Sequence, residues 1–255
     1  MIDLHTHILP DLDDGPSTLE ESLDLAAAAW ESGTKTIVAT PHILNRLSLA
    51  NNSQISQRYR SFKEVIAEKI PGLTVLLGTE IYFQPNLANF VSYDAGTLNG
   101  TRKYLLVEFP LGDIPKMYDR ELLSLAKMGI VPVIAHPERN AVILDKPAIA
   151  GKIVKMGALL QINSGSLTGM FGRTVRKLAQ YLLKMGWVHI IASDMHSFNR
   201  GPELTPAVDA AAEVIGSAAA RRLVTWNARI ILDGLPWSEN ERRVNFQGEE
   251  DDGTT

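Results

Sequence analysis

Val131-Pro132-Val133-Ile134-Ala135 is apolar throughout and runs straight into His136. A run with no alternating polar face is what a strand shows when helices cover both sides of a parallel sheet. His189-Ile190-Ile191-Ala192, followed by Ser193-Asp194, has the same make-up. Reading outward gives seven β-rich runs, at residues 2–8, 36–42, 74–81, 104–110, 131–136, 158–163 and 188–193. Helical patterns separate them. Ser17-Thr18-Leu19-Glu20 reads as a capping box after Pro16, Leu19, Leu23, Ala26, Ala27 and Trp30 as one apolar face, and Gly33 as the stop. A second helix starts at Arg173, with Val175, Leu178, Leu182 and Met185 on one face and Gly186 at its end. Segments 58–70 and 119–128 read as two more. Strands alternating with helices and no linker predict an α/β fold, a single (β/α) barrel over residues 1–237.

The composition removes several mechanisms. The chain has 255 residues, 45% of them hydrophobic, and no cysteine. Disulfide scaffolds, cysteine nucleophiles and thiolate metal sites are therefore excluded. A formal net charge of -4 is too mild for a nucleic-acid binder. Residues 238–255 hold six acids and two bases, so the first 237 residues carry 23 charges of each sign. That acidic terminus reads as a solvated, disordered tail. Met1-Ile2-Asp3-Leu4-His5 has no basic stretch leading into an apolar core. No run approaches the roughly 20 apolar residues that span a bilayer. The expectation is a soluble, cytoplasmic protein without membrane insertion.

Barrel enzymes place their chemistry where strands leave the sheet at their carboxyl ends. Those positions carry His5 and His7 on the first run, His42 on the second, Glu80 on the third and Glu108 on the fourth. His136 ends the fifth, Asn163 the sixth, and Asp194 with His196 the seventh. A lone histidine at a strand end is usually a hydrogen-bonded structural residue, and a lone carboxylate a helix cap. Six of seven equivalent ends carrying one or the other needs a shared cause, because converging charges are costly unless something cationic joins them. Divalent metal ions meet that need. His5 and His7, one residue apart, point the same way on an extended strand, and Asp194 with His196 repeats the geometry. Asp14 precedes the Gly15 turn, where its carboxylate can reach over the mouth. Asp13 beside it reads as a turn or cap residue. Nine candidate ligands are too many for one ion and point to two or three, and an imidazole and carboxylate set suits Mn, Fe and Zn alike.

Met1-Ile2-Asp3-Leu4-His5-Thr6-His7 with Asp14-Gly15, Thr40-Pro41-His42, Gly78-Thr79-Glu80, Glu108-Phe109, Ile134 to Arg139 and Ala192 to His196 together resemble the polymerase and histidinol phosphatase (PHP) family. Asp13-Asp14-Gly15-Pro16, Ala135 to Arg139 and Gln161-Ile162-Asn163-Ser164 are most similar to its bacterial protein tyrosine phosphatases of capsule and exopolysaccharide operons. The likeness extends from residue 1 to about 232. It implies a distorted seven-stranded barrel with a trinuclear, usually manganese, centre. It would place His5, His7, Glu80 and Asp194 on one ion, Glu80, Glu108 and His136 on a second, and Asp14, His42 and His196 on a third. The family's phosphate arginine after the fifth strand matches Arg139. A second follows the last metal motif, where the family has Asn directly after the histidine and Arg one place later; here Ser197-Phe198-Asn199 stand between His196 and Arg200. The implied partner is a phosphotyrosine segment of a bacterial tyrosine kinase, and a homo-oligomer is compatible with the sequence.

Charge supports a phosphate substrate separately, since four carboxylates against three divalent ions leave the site at about +2, facing a near-dianion. Metal-activated water would then replace the missing thiolate, with Arg139 holding phosphate oxygens. Three other readings share parts of the pattern. One is a PHP phosphatase for a small ester such as histidinol phosphate. Another is a noncatalytic metal-containing partner of a polysaccharide export complex. The third is an amidohydrolase, whose carboxylated lysine has Glu80 or Glu108 in its place here. His189, at the start of its strand, reads as a packing residue. The loops at residues 44–52, 84–99 and 167–171 are expected to shape access to the mouth.

Overall fold

Among the described residues nine short strands form where seven were expected: β1 (Ile2–Thr6), β2 (Thr36–Ala39), β3 (His42–Ile43), β4 (Thr74–Leu77), β5 (Glu80–Tyr82), β6 (Tyr104–Glu108), β7 (Val131–Ala135), β8 (Leu159–Asn163) and β9 (Ile190–Ala192). The computed structural model describes residues 1–44 and 49–237. The expected acidic tail and residues 45–48 of the first mouth loop lie outside the described residues.

The two additional strands come from breaks. The run at 36–42 divides at Thr40-Pro41, where proline has no N–H for the ladder. The run at 74–81 divides at Gly78-Thr79. A Cβ on Gly78 would stand 2.9 Å from Leu98 Cδ2, so a side chain there would require buried Leu98 to shift. Hydrogen bonds continue across both breaks: Gly78 N–H donates to Ala39 O at 2.9 Å and Glu80 N–H to Pro41 O at 3.1 Å.

All pairings are parallel. They make a three-stranded sheet, β1-β2-β4, and a six-stranded sheet, β3-β5-β6-β7-β8-β9. Between β9 and β1 the Asp194 N–H donates to His5 O and the His7 N–H to Met195 O, both at 2.9 Å, around one isolated bridge. The described residues thus form one α/β domain with parallel sheets, and no closed sheet is found among them.

Alternation along each strand divides the core. Val133 and Ala135 of β7 face inward with Leu4, Val38, Leu106, Leu159 and Ile190, and Ala228, Ile231 and Leu232 of the helix Trp226–Leu232 close that cluster. Ile134 points the other way, into the cluster shared with the outer helices. Each such buried aliphatic side chain contributes roughly 1.5–3 kcal/mol. The inner cluster forms a rigid base beneath the polar residues at the strand ends.

The first helix, Leu19–Glu31, begins one residue later than its motif suggested. Thr18 is the cap, its Oγ1 accepting from Glu21 N–H at 3.2 Å while Glu21 Oε2 accepts from Thr18 N–H at 3.3 Å. Ser17 instead donates its hydroxyl to Glu21. The buried face is accordingly Ser22, Leu25, Ala26 and Ala29, and Leu19 is exposed. Arg173–Lys184 forms as expected, Tyr118–Lys127 within a residue, and the helix expected from Arg58 reaches back to Leu49. Among the described residues no helix is long and apolar enough to cross a membrane.

Candidate metal centre

The strand ends bring all nine expected ligand residues to one place. β1 carries His5 within it and His7 one residue beyond, both buried. β3 begins with His42, β5 begins with Glu80 and β6 ends with Glu108. His136 and Asp194 follow β7 and β9 with φ of 33° and 54°, in the left-handed region. That conformation turns each chain sharply at the strand end, and it is uncommon outside glycine.

Glu80 is the centre of the arrangement. Its Oε2 stands 3.1 Å from His5 Nε2, His7 Nε2 and His42 Nδ1, while Oε1 accepts from His136 Nε2 at 3.0 Å. Asp194 Oδ1 lies 3.3 Å from His5 Nε2 and 3.5 Å from His7 Nε2. Glu108 approaches His136 at 3.7 Å and His42 at 3.9 Å. Asp14, on its exposed loop, reaches His196 Nε2 at 3.0 Å and His42 Nε2 at 3.5 Å. Three groups have ligand atoms mutually within 4.8 Å: His5, His7, Glu80 and Asp194; His42, Glu80 and Glu108; and His7, Asp14, His42 and His196. These overlap the three sets that the resemblance implied, with His7 added beside Asp14 and His42 in the place of His136 beside Glu80 and Glu108; His136 lies outside the three groups, 3.0 Å from Glu80 and 3.7 Å from Glu108.

Several of these atoms have no hydrogen bond. Glu80 Oε2, His42 Nδ1 and His196 Nε2 are buried without one, although charged atoms crowd around them. His5 Nε2 and His7 Nε2 face each other at 3.2 Å. Atoms that gather near a common point without bonding to each other fit a shared cation, and the imidazole and carboxylate set is that of Mn, Fe or Zn. Without metal, protons take its place. Burial opposes charge on His5, but Glu80 and Asp194 outweigh it and push His5 up to about 9. His7 is raised well above the usual range against its burial, through Asp13, Asp194 and Glu80. Burial, with His7 alongside, lowers His196 to about 4. Despite burial, the imidazoles hold Glu80 and Asp194 well below the carboxylate range. Burial and the Glu80 charge raise Glu108.

The two expected arginines meet on one atom. Arg139 Nη1 donates to Asp194 Oδ2 at 3.1 Å and Arg200 Nη2 to the same oxygen at 2.6 Å. Phe171 backs Arg139, its ring centroid 4.3 Å from the guanidinium carbon. His189 is structural as expected, its Nδ1 accepting from Leu160 N–H at 3.0 Å.

Residues 1–233 match the family described as "Capsular polysaccharide synthesis, CpsB/CapC". The chain belongs to this family. It is 38% identical over 199 residues to the tyrosine-protein phosphatase YwqE of Bacillus subtilis (strain 168), covering 77% of this chain and 78% of that one. With the tyrosine-protein phosphatase CpsB of Streptococcus pneumoniae the identity is 34% over 243 residues, 92% of this chain and all of that one, 100%. In three dimensions it matches a chain from the crystal structures of YwqE and CpsB, described as unique metal-dependent tyrosine phosphatases, at a TM-score of 0.86 and 33% identity, over 92% of this chain and 95% of that chain. The resemblance read from the sequence to the capsule-operon phosphatases of the CpsB/CapC kind is borne out.

Sequence reasoning passed over several residues around the ligands. Asp13 does more than cap a turn: Oδ1 accepts from Gly15 N–H at 3.0 Å, and Oδ2 takes both His7 Nδ1 at 2.7 Å and His42 N–H at 3.0 Å. This contact holds Asp13 down to about 2 in spite of its burial, chiefly through His7. Glu138, fully buried, ties the turn before Arg139 to β8 through Asn163 N–H and to the helix Ser164–Thr168 through Ser166 Oγ, and burial raises its pKa. Gln161 and Asn163 form a polar pair inside β8. Two polar residues at i and i+2 in an otherwise apolar strand were the available signal.

Proposed function

We propose that this chain is a metal-dependent tyrosine-protein phosphatase acting on the phosphotyrosine of a bacterial tyrosine kinase that controls capsule or exopolysaccharide synthesis. The observation that carries the reading is the set of nine ligand-type side chains with Glu80 at its centre, flanked by two arginines that meet on Asp194 Oδ2. Membership of a family whose curated relatives are tyrosine-protein phosphatases supports it.

In this reading His5, His7, Glu80 and Asp194 hold one divalent ion. Glu80, Glu108 and His136, with His42 at their edge, hold a second, and Asp14, His42 and His196 a third. Manganese is the preferred ion. Divalent ions bound there supply Lewis acidity and a water nucleophile at neutral pH, which a chain without cysteine needs. Arg139 and Arg200 bind the phosphate, each spending one N–H on Asp194 and keeping other donors of its guanidinium for phosphate oxygens. Asp194 thereby places the phosphate-binding groups directly beside the ligand cluster. A phenol leaves with a pKa near 10 and needs little acid assistance, so no general acid is assigned. Residues Gln84 to Tyr93 line a cleft of about 720 Å³ on the loop after β5, suited to the peptide that flanks the phosphotyrosine. The two sheets act as one distorted barrel over 1–237, in the cytoplasm, with the acidic residues 238–255 as a tail.

A panel of phosphotyrosyl peptides against histidinol phosphate, with added Mn²⁺, tests this. Faster turnover of the peptides is expected. Faster turnover of the small ester would overturn the assignment.

A further inference from the structure

Gln161 and Asn163 are fully buried and lie on the same face of β8. A continuous chain of hydrogen bonds runs through them. Asn163 Nδ2 donates to Asp194 Oδ2 at 2.7 Å, Gln161 Nε2 donates to Asn163 Oδ1 at 2.9 Å, and Gln161 Oε1 meets His5 Nδ1 at 2.9 Å.

The direction of this chain follows from its end. The Asp194 oxygen already accepts from two guanidinium groups and, as a carboxylate, has nothing to donate. Asn163 must therefore turn its NH₂ toward Asp194, which leaves its oxygen facing Gln161. That oxygen requires a donor, so Gln161 presents its NH₂ there and its oxygen to His5. An oxygen opposite Nδ1 is satisfied only if Nδ1 carries hydrogen. We propose that Gln161, oriented by Asn163, is a positioning residue that fixes the tautomer of His5, keeping the proton on Nδ1 and leaving the Nε2 lone pair directed at Glu80, Asp194 and His7.

Its functional weight rests on reading the cluster as a metal centre, since metal-ligating imidazole needs that free lone pair. Asp13 does the equivalent for His7 with a carboxylate. The two histidines of β1 are thus set by different means, one by a charged acceptor from a loop and one by a neutral amide from the opposite strand. A neutral amide suits the second position, because a carboxylate at 161 would face Asn163 Oδ1 without a donor and add negative charge beside Asp194.

The test has two arms on the full chain. In metal-free, ¹⁵N-histidine-labelled protein, followed with rising pH until the His5 ring is neutral, wild type is expected to show a pyrrole-like Nδ1 and a pyridine-like Nε2. Gln161→Leu should show a mixture. In the second arm, Mn²⁺ titration followed by electron paramagnetic resonance should find binding weakened about 10–100-fold in Gln161→Leu. Gln161→Glu, which keeps an acceptor for His5 but has no donor for Asn163, should hold the proton on Nδ1 while recovering only part of that loss. A wild-type His5 protonated on Nε2, or a Gln161→Leu protein that binds Mn²⁺ as tightly as wild type, would overturn the proposal. Wild type that binds no Mn²⁺ at all would instead defeat the metal-centre reading, and the first arm would still decide the tautomer in protein that needs no metal.

Discussion

Glu80→Gln keeps the shape of the central side chain and removes its charge. In metal-free protein the Glu80 carboxylate lies 3.1 Å from His5 Nε2 and is the largest influence holding a second proton on that ring. His5 is raised from 6.5 to about 9, and at about 1.4 kcal/mol per pKa unit this amounts to roughly 3 kcal/mol. Removing one member of a buried ion pair costs about 3–5 kcal/mol, so the two routes agree in scale. For a domain of this size each kcal/mol moves Tm by about 2–4 °C, which puts metal-free Glu80→Gln about 6–12 °C below metal-free wild type near pH 6. The sign of the pH dependence follows from a raised base. Its contribution is fully present below 6.5 and is lost as pH rises through about 9. The gap between the two proteins should therefore narrow across that window. Calorimetry of chelator-treated wild type and variant at a series of pH values measures it. A gap that stays constant from about pH 6 to pH 10, or no gap at the acid end, would refute the pairing of Glu80 with a charged His5.

Exhaustive chelation should abolish phosphotyrosyl-peptide hydrolysis, Mn²⁺ should restore it, and elemental analysis of active protein should find at least two ions per chain; activity that survives chelation contradicts the proposed centre. Arg139→Ala should lower kcat/KM about 10²–10³-fold while leaving Tm within a few degrees, and Arg139→Lys should recover little because it lacks the planar fork. Full activity in Arg139→Ala would remove that residue from phosphate binding. A Cβ at Gly15 would stand 2.1 Å from His7 O, so Gly15→Ala must displace the loop that carries Asp13 and Asp14. Its Mn²⁺ affinity, read by calorimetric titration, should fall, and unchanged affinity would show that the loop does not govern the ligands.

The strands were legible because a buried parallel strand is an apolar run, and a polar residue at its end has few ordinary reasons to be there. That is why His136, Glu108 and Asp194 could be placed on one rim from local sequence. The breaks at Pro41 and Gly78 were visible as residues but not as interruptions, because Gly78 is constrained by Leu98, which a local reading of the strand does not include. The capping register was missed for a related reason: Ser17 and Thr18 both suit a cap, Glu21 accepts from both, and the choice depends on which hydroxyl the Glu21 N–H donates to. Gln161 was hidden by distance, since its partner His5 lies 156 residues earlier. Asp13 was read from its neighbour Gly15 alone, and its contact with His7 depends on how the loop folds back over β1.

The left-handed backbone at His136 and Asp194 bears on how this protein can be improved. Each non-glycine residue held there costs roughly 1–3 kcal/mol, and glycine alone would sit at those positions without strain. Glycine carries no imidazole and no carboxylate. Discarding these side chains would still not gain stability, because His136 pairs with buried Glu80 and Asp194 with His5, Asn163, Arg139 and Arg200, and breaking a buried pair costs about 3–5 kcal/mol. Engineering for robustness has to hold those positions fixed and draw its gains from the helices and outer core.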